Sequence, residues 1–268
     1  MKYEELKSSL QTLAVNINDG IAIIAFDRPE ALNTLTKEMV CELRMAFEYI
    51  EKEAAVRGVI LTGIGDKAFM AGADVSEFAS MDALSSREFA AYGQESICSY
   101  IENFCKPVIA AVNGYALGGG NELAMCCDIR IASTKAVFAQ PEAGLGIIPI
   151  YGATKRLQRL VGFGIAKELI MTCRKVKAEE ALQIGLVNKV VEPEGLMETA
   201  KEMMQMILKN APQSVYFSKI AMNRVADMSI EEAGELERDL AAILFATEDK
   251  KEGIDAFLHK RKAEFTER

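Results

Sequence analysis

Apolar positions change rhythm along this chain, and the changes mark its elements. Leu13, Val15 and Ile17 alternate with other residues, Asn18-Asp19-Gly20 supplies a turn, and Ile21 to Phe26 is almost continuously apolar. That pattern predicts a β-hairpin whose second strand is buried on both faces. Arg28-Pro29 breaks it, and from Thr36 the period lengthens, with Met39, Leu43, Phe47 and Ile50 on one face of a helix capped by Thr36. Val59-Ile60-Leu61 reads as a short buried strand, followed by a glycine- and alanine-rich loop from Gly63 to Asp74. Ser85 and Glu88 have the spacing of a capping box, predicting a helix to about Cys105 that Pro107 ends.

Val108 to Val112 is again a strand, and Asn113-Gly114 turns the chain toward Gly118-Gly119-Gly120 and a helix with Leu123, Cys126 and Cys127 on one side. Ile129 to Ala132 and Val137 to Ala139 are further short strands. Strands and helices alternate, and the glycine-rich loops fall just after strands, where α/β proteins place their sites. The weak recurrence of strand, loop and helix is compatible with a spiral of similar units. From about Thr154 helical patterns take over, apart from a strand-like stretch at Leu186 to Val191, and Pro193 marks a boundary. Helices are expected at 194–209, 212–225 and 229–259, the last with a break near Thr247.

Composition narrows the classes. With 268 residues the chain can bury a full core. Its 31 Lys and Arg against 39 Asp and Glu give a formal charge of -8, a poor balance for a general nucleic-acid binder. An acidic N-terminus without a signal-like apolar stretch, and no run of membrane-spanning length, predict a cytoplasmic protein that crosses no membrane. Six cysteines without metal-like spacing read as free thiols in a reducing compartment. One histidine, His259, removes Ser-His and Cys-His couples and histidine metal clusters, so protons must move through carboxylates.

Two glutamates stand out. Glu122 follows three glycines, and Glu142 lies in Gln140-Pro141-Glu142-Ala143-Gly144. A glycine run opening a helix exposes backbone N–H groups and favours negative charge. Two carboxylates in one pocket divide acid and base roles when their environments separate their pKa values. Taken singly, each has a duller reading, as a helix-dipole partner or a solvated loop residue. Lys and Ser/Thr do not follow the glycines, so a nucleotide P-loop is set aside.

The stretch from Lys106 to Met125 closely resembles the enoyl-CoA hydratases of the crotonase family. So do Arg28-Pro29-Glu30-Ala31-Leu32-Asn33, Ala71-Gly72-Ala73-Asp74, Gln140-Pro141-Glu142, Gly185-Leu186-Val187 and Phe257-Leu258-His259-Lys260-Arg261-Lys262. The resemblance implies a crotonase-like spiral of strand-strand-helix units over residues 1–192 and a helical C-terminal region over 193–268 that builds homotrimers, often paired as hexamers. It also implies an acyl-CoA thioester substrate, CoA being part of the substrate and no separate cofactor or metal being needed. The family's oxyanion hole maps to the backbone N–H groups of Ala73 and Gly119, each such donor contributing about 3 kcal/mol at the transition state. Both glutamates being present implies hydration of a trans-2-enoyl-CoA, Glu122 chiefly as base and Glu142 chiefly as acid.

The resemblance further assigns substrate binding to Ala31, Ala71 and Asp74, and, in a basic helix end, to Phe257 and Lys260. One stretch departs from the family. Hydratases commonly carry Pro-Gly-x-Gly-Gly-Thr where this chain has Pro149-Ile150-Tyr151-Gly152-Ala153-Thr154, so Ile150 and Ala153 replace glycines. The change is expected either to narrow the pocket, to reposition the water or to shift preference toward an unusual or cyclic acyl group. Asn121 reads as either pocket-lining or solvent-facing. Rival readings are isomerisation, dienoyl-CoA hydration, decarboxylation or thioester hydrolysis on the same hole, and a non-catalytic RNA-binding member of the fold.

Overall fold

A computed structural model describes residues 2–266. In chain order the strands are β1 Leu13–Asn18, β2 Ile21–Phe26, β3 Gly58–Gly63, β4 Ala68–Met70, β5 Val108–Val112, β6 Tyr115–Leu117, β7 Ile129–Ser133, β8 Val137–Ala139, β9 Val176–Lys177 and β10 Lys189–Val191. The helices are α1 Tyr3–Ser9, α2 Lys37–Lys52, α3 Ala83–Gly93, α4 Ser99–Glu102, α5 Gly119–Cys126, α6 Ala153–Val161, α7 Phe163–Thr172, α8 Ala178–Gln183, α9 Leu196–Leu208, α10 Pro212–Val225, α11 Ile230–Phe245 and α12 Glu248–Leu258.

Two sheets carry the spiral. One has six strands in the order β1-β2-β3-β5-β7-β10, antiparallel only at the β1–β2 hairpin. The other has the order β4-β6-β8-β9, with β9 antiparallel. Consecutive strands β3 and β4, β5 and β6, and β7 and β8 each divide between the two sheets before the chain enters a helical segment. This is the strand-strand-helix repeat. The short strands β4, β6 and β9 went unread, each lying inside or beside a glycine-rich or helical stretch and too short to show a period, while the equally short β8 was read from its apolar run.

Asparagine amides hold the turns between paired strands. Asn113 donates to the carbonyls of Gly63, Gly65 and Ala68 and accepts from the Gly63 N–H. The fully buried Asn33 donates to the carbonyls of Ile64 and Ala68 and accepts from the Arg28 N–H. Buried carbonyls outside the ladders need such partners. Helix α9 lies against the outer face of the six-stranded sheet, where Leu196, Ala200 and Met204 cover Ile21, Ile60, Ile109 and Ile131. Both faces of the central strands are therefore dry, which explains their continuous apolar runs.

Several expectations change in detail. Thr36 caps α2 as expected, its Oγ1 accepting from the Met39 N–H at 3.2 Å. The next helix, however, is capped by Asp82, with Ser85 as the third residue of a reciprocal box. Asp82 accepts from the Ser85 N–H at 2.8 Å, and a carboxylate there suits the positive helix end. A π-helical turn at Gln94–Cys98 interrupts the continuation toward Glu102. Helix α5 is buried on every side rather than on one. In the Leu186 to Val191 stretch only Lys189–Val191 pairs as a strand. Ser229 and Thr247 cap α11 and α12, so the break near Thr247 is a new helix start.

Helix α5 sits so close to β4 that a Cβ on Gly120 would overlap the Met70 carbonyl oxygen. Replacing Gly120 by Ala is expected to destabilise the protein by about 1–3 kcal/mol. Thermal unfolding at neutral pH checks this: a Tm lower by several degrees is expected, and an unchanged Tm would mean the packing gives way freely.

Candidate active site

The site is built where α5 begins. Gly118 precedes the helix at φ 50° and ψ -122°, a conformation that disfavours side chains, and a Cβ there would lie 2.7 Å from Glu142 Oε1. Gly119 is the first helical residue, so its N–H has no intrahelical acceptor. Across from it, segment 72–74 bridges to Leu35: the Leu35 N–H donates to the Gly72 carbonyl at 2.8 Å, and the Asp74 N–H donates to Leu35 at 2.9 Å. Strand alternation turns the Ala73 N–H to the other side. A Cβ on Gly119 would be 3.6 Å from the Ala73 nitrogen. Ala73 and Gly119 thus stand side by side, and neither N–H has an acceptor among the described residues.

Glu122, one turn into α5, is 1% exposed. Its Oε1 accepts from the N–H groups of Tyr151 and Ala153 at 2.9 and 2.8 Å, at the start of α6. Burial pushes its pKa up to about 7, with backbone N–H donors pulling down and the neighbouring Glu142 pushing up. Glu142, at 7% exposed, begins a 3-10 turn after Pro141. Burial raises its pKa as well. Only the Gln140 amide, at 3.5 Å, approaches its Oε1, and its Oε2 has no partner among the described residues. The two carboxylates feel each other but differ in their donors, which is what a divided acid–base role requires.

Two further polar residues set this pair. Asn121 is 2% exposed and donates to Gln140 Oε1 at 2.8 Å, so it faces inward and braces the side chain that approaches Glu142. Tyr151, which sequence reading passed over, is 2% exposed and lies against Gly119, whose added Cβ would be 3.4 Å from the ring. It also fits against Gly93, where a Cβ would overlap it, and the Phe89 ring lies 6.0 Å away. Burial pushes the Tyr151 phenol up, so it stays protonated. A bulky residue inside a glycine-rich stretch was the available signal.

The remaining expected residues divide into two places. Ala31 ends a short 3-10 turn, and the Ala71 N–H donates to the Leu32 carbonyl at 3.0 Å, so the two alanine segments are adjacent beside Ala73. The Asp74 carboxylate caps the next 3-10 turn by accepting from the Ser76 N–H and hydroxyl, and those bonds hold its pKa low. Ile150 is half-buried, one residue before Tyr151. It lines a cavity of about 550 Å³ with Phe78, Met81, Phe89 and Ile148. Phe257 and Lys260 lie apart, exposed at the end of α12, and no described hydrogen bond or ring contact joins them to the glutamates.

A family model described as enoyl-CoA hydratase/isomerase matches residues 16–268. The chain belongs to the enoyl-CoA hydratase/isomerase family. It is 50% identical over 244 residues to a short-chain-enoyl-CoA hydratase of Clostridium acetobutylicum, covering 91% of this chain and 93% of the relative. It is 47% identical over 255 residues to a crotonyl-CoA hydratase of Syntrophomonas wolfei, covering 95% and 98%. The crystal structure of an enoyl-CoA hydratase from Bacillus anthracis superposes with a TM-score of 0.91 at 37% identity, covering 96% of this chain and all of the other. The expected crotonase-like fold is therefore present over nearly the whole chain.

The raised Glu122 pKa makes stability depend on pH in a definite direction. The unfolded carboxyl ionises near 4.5 and the native one near 7, so folding loses stability as pH rises between those values, and the loss is complete above 7. Glu122→Gln keeps the acceptor without the charge. It is expected to exceed the parent in stability at pH 8 by as much as about 3 kcal/mol, a margin that shrinks toward pH 5. Chemical denaturation at the two pH values reads this directly; equal margins would mean that Glu122 ionises at its ordinary value.

Proposed function

We propose that this protein is a hydro-lyase that adds water across the double bond of trans-2-enoyl-CoA thioesters, giving 3-hydroxyacyl-CoA. The observation that carries the reading is the convergence of two buried, differently hydrogen-bonded carboxylates on paired, unengaged backbone N–H groups. The family match and the names of the hydratase relatives support the same activity.

In this reading the thioester oxygen lies between the Ala73 and Gly119 N–H groups. Glu122 takes a proton from water as the hydroxyl adds to C3, electron density passes to the thioester oxygen, and the resulting enolate is held by the two donors. Glu142 then delivers a proton to C2, so both new bonds form on the face the carboxylates share. The working pair carries one proton between its two carboxyls. Burial raises both carboxyls, Glu122 to about 7, so the pair holds that proton near neutral pH, and the two backbone donors to Glu122 favour its anion as the proton passes to Glu142. CoA enters as part of the substrate, and the reaction draws on no further cofactor. Ala31 and Ala71 present small side chains to the adenine and pantetheine, allowing close backbone contact.

Phe257 and Lys260 reach the CoA of a neighbouring protomer in a homotrimer or dimer of trimers. Exposed Ile230, Phe245, Phe257 and Leu258 on the C-terminal helices support such an assembly. Among the described residues no helix is long and apolar enough to cross a membrane. The assignment to the cytoplasm remains part of this reading.

The acyl chain runs into the cavity beside Ile150, which Phe89 also lines, with the Tyr151 ring packed behind Phe89. Short chains are therefore preferred, in keeping with the relatives named for short-chain and crotonyl substrates.

Crotonyl-CoA hydration, followed by loss of the conjugated-thioester absorbance and by product mass, tests the activity. Glu122→Gln and Glu142→Gln are each expected to lower kcat by about 10²–10⁴-fold with KM little changed. Near-parental rates in both would remove the carboxylate mechanism. For the acyl site, Ile150→Gly and Tyr151→Ala should shift the ratio of kcat/KM for eight-carbon over four-carbon substrate upward by about tenfold. An unchanged ratio in both variants would place the chain-length limit elsewhere.

A further inference from the structure

The N–H groups that hold Glu122 belong to a loop with little support of its own. Gly152 caps α6 at φ 113° without a side-chain cap; its own carbonyl accepts from the Lys155 and Arg156 N–H groups, but no backbone donor among the described residues holds the Tyr151 carbonyl. Support comes from Arg156, one turn further on. Its guanidinium is 3% exposed and Nη1 donates to the Tyr151 carbonyl at 2.9 Å. That carbonyl and the Gly152 N–H belong to one peptide unit, so a cation on the oxygen polarises the N–H on the opposite side. The Gly152 N–H lies between the two N–H groups, of Tyr151 and Ala153, that donate to Glu122, and adds a smaller pull in favour of its anion.

Arg156 is itself held in place. Its Nη2 and Nε donate to the two oxygens of Glu102 at 2.6 and 3.2 Å, the planar fork that lysine does not offer. The Glu102 carbonyl in turn accepts from the Asn223 amide of α10 at 2.7 Å. A continuous set of bonds therefore runs from α10 through the end of α4 to the loop that clamps Glu122. A Cβ on Gly152 would overlap Arg156 Nη1, so the glycine leaves the room the guanidinium occupies.

We propose that Arg156, locked by Glu102, is a positioning residue for the reaction: it orients the Tyr151–Gly152 peptide so that the loop's N–H groups hold Glu122 as a base. The inference rests on Glu122 being the base that activates water. The other titratable groups near Glu122 are Glu142, Tyr151, Cys98 and, against Arg156, Cys126. Burial and neighbouring groups raise the Tyr151 phenol and the Cys98 thiol, so both stay neutral across the neutral range. Glu142, whose pKa burial also raises, is the neighbouring carboxyl that acts on Glu122.

Arg156→Lys and Glu102→Gln test it, the second preserving shape and leaving the guanidinium in place. Two readouts are taken: kcat and KM for crotonyl-CoA across pH, and the ionisation of Glu122 from carboxyl infrared difference spectra against the same protein carrying Glu122→Gln. Weakening the donors should raise the Glu122 pKa, moving the acid limb of the kcat profile upward by about half a unit or more. The same variants should lower kcat about tenfold or more with KM within about threefold. The infrared titration needs no substrate, so a parent protein that fails to hydrate crotonyl-CoA would refute the hydratase reading while the Glu122 shift is still measured. An unmoved Glu122 titration in folded variants would overturn the proposal. So would failure of both variants to fold, by circular dichroism, because the pair would then serve the fold alone.

Discussion

The close approach of α5 to strand β4 is the constraint on which the site depends. Side chains at Gly118 or Gly120 would meet the Glu142 carboxylate or the Met70 carbonyl, and Gly119 faces Ala73 with room for little else. Removing those side chains lets a helix start be buried against strands β4 and β6. Its unengaged N–H group then stands beside that of Ala73, and Glu122 is drawn away from water. A helix end is ordinarily satisfied by caps or solvent. Here the orphan donor is kept for another oxygen, and the strand pairing of segment 72–74 with Leu35 presents the second donor.

The same burial sets the electrostatics. Two carboxyls in a dry, narrow space cannot both be charged cheaply, so the surroundings decide which one carries the charge. Glu122 sits at the start of α6 and satisfies that helix's free N–H groups, while Glu142 has a single distant amide. One carboxylate thus doubles as the cap of a second helix, so helices α5 and α6 meet at the Glu122 side chain. Under the proposed mechanism stability and activity pull apart at this point, because the burial that raises the Glu122 pKa also disfavours its ionised form.

Some of this was legible residue by residue. The hairpin, the Thr36 cap, the buried strands 59–61 and 108–112 and the helices from Pro212 onward follow from period and capping chemistry, which act over a few residues. The two glutamates stood out because each sits in a distinctive local frame. Other features were not legible. Ser85 looked like a cap because a box depends on spacing, yet Asp82 offers the same spacing three residues earlier. Asn121 left two readings open, and only its contact with Gln140 turns it inward. Tyr151 and Arg156 drew no notice, since a tyrosine in a loop and an arginine in a helix are ordinary until their neighbours are known.

By itself, then, the sequence determined the order and nature of most elements, the resemblance to its family and the two glutamates proposed to carry the chemistry. These are consequences of local propensity and of residue types in short frames. The tertiary structure decided what those residues experience: which N–H groups remain unengaged, how deeply each glutamate is buried, which donors each receives, and which side chains line the cavity beside Ile150. Such properties arise between segments far apart in the chain, from Leu35 against Ala73 to Glu102 against Arg156. Desolvation and hydrogen bonding depend on three-dimensional neighbours, and no local pattern encodes them.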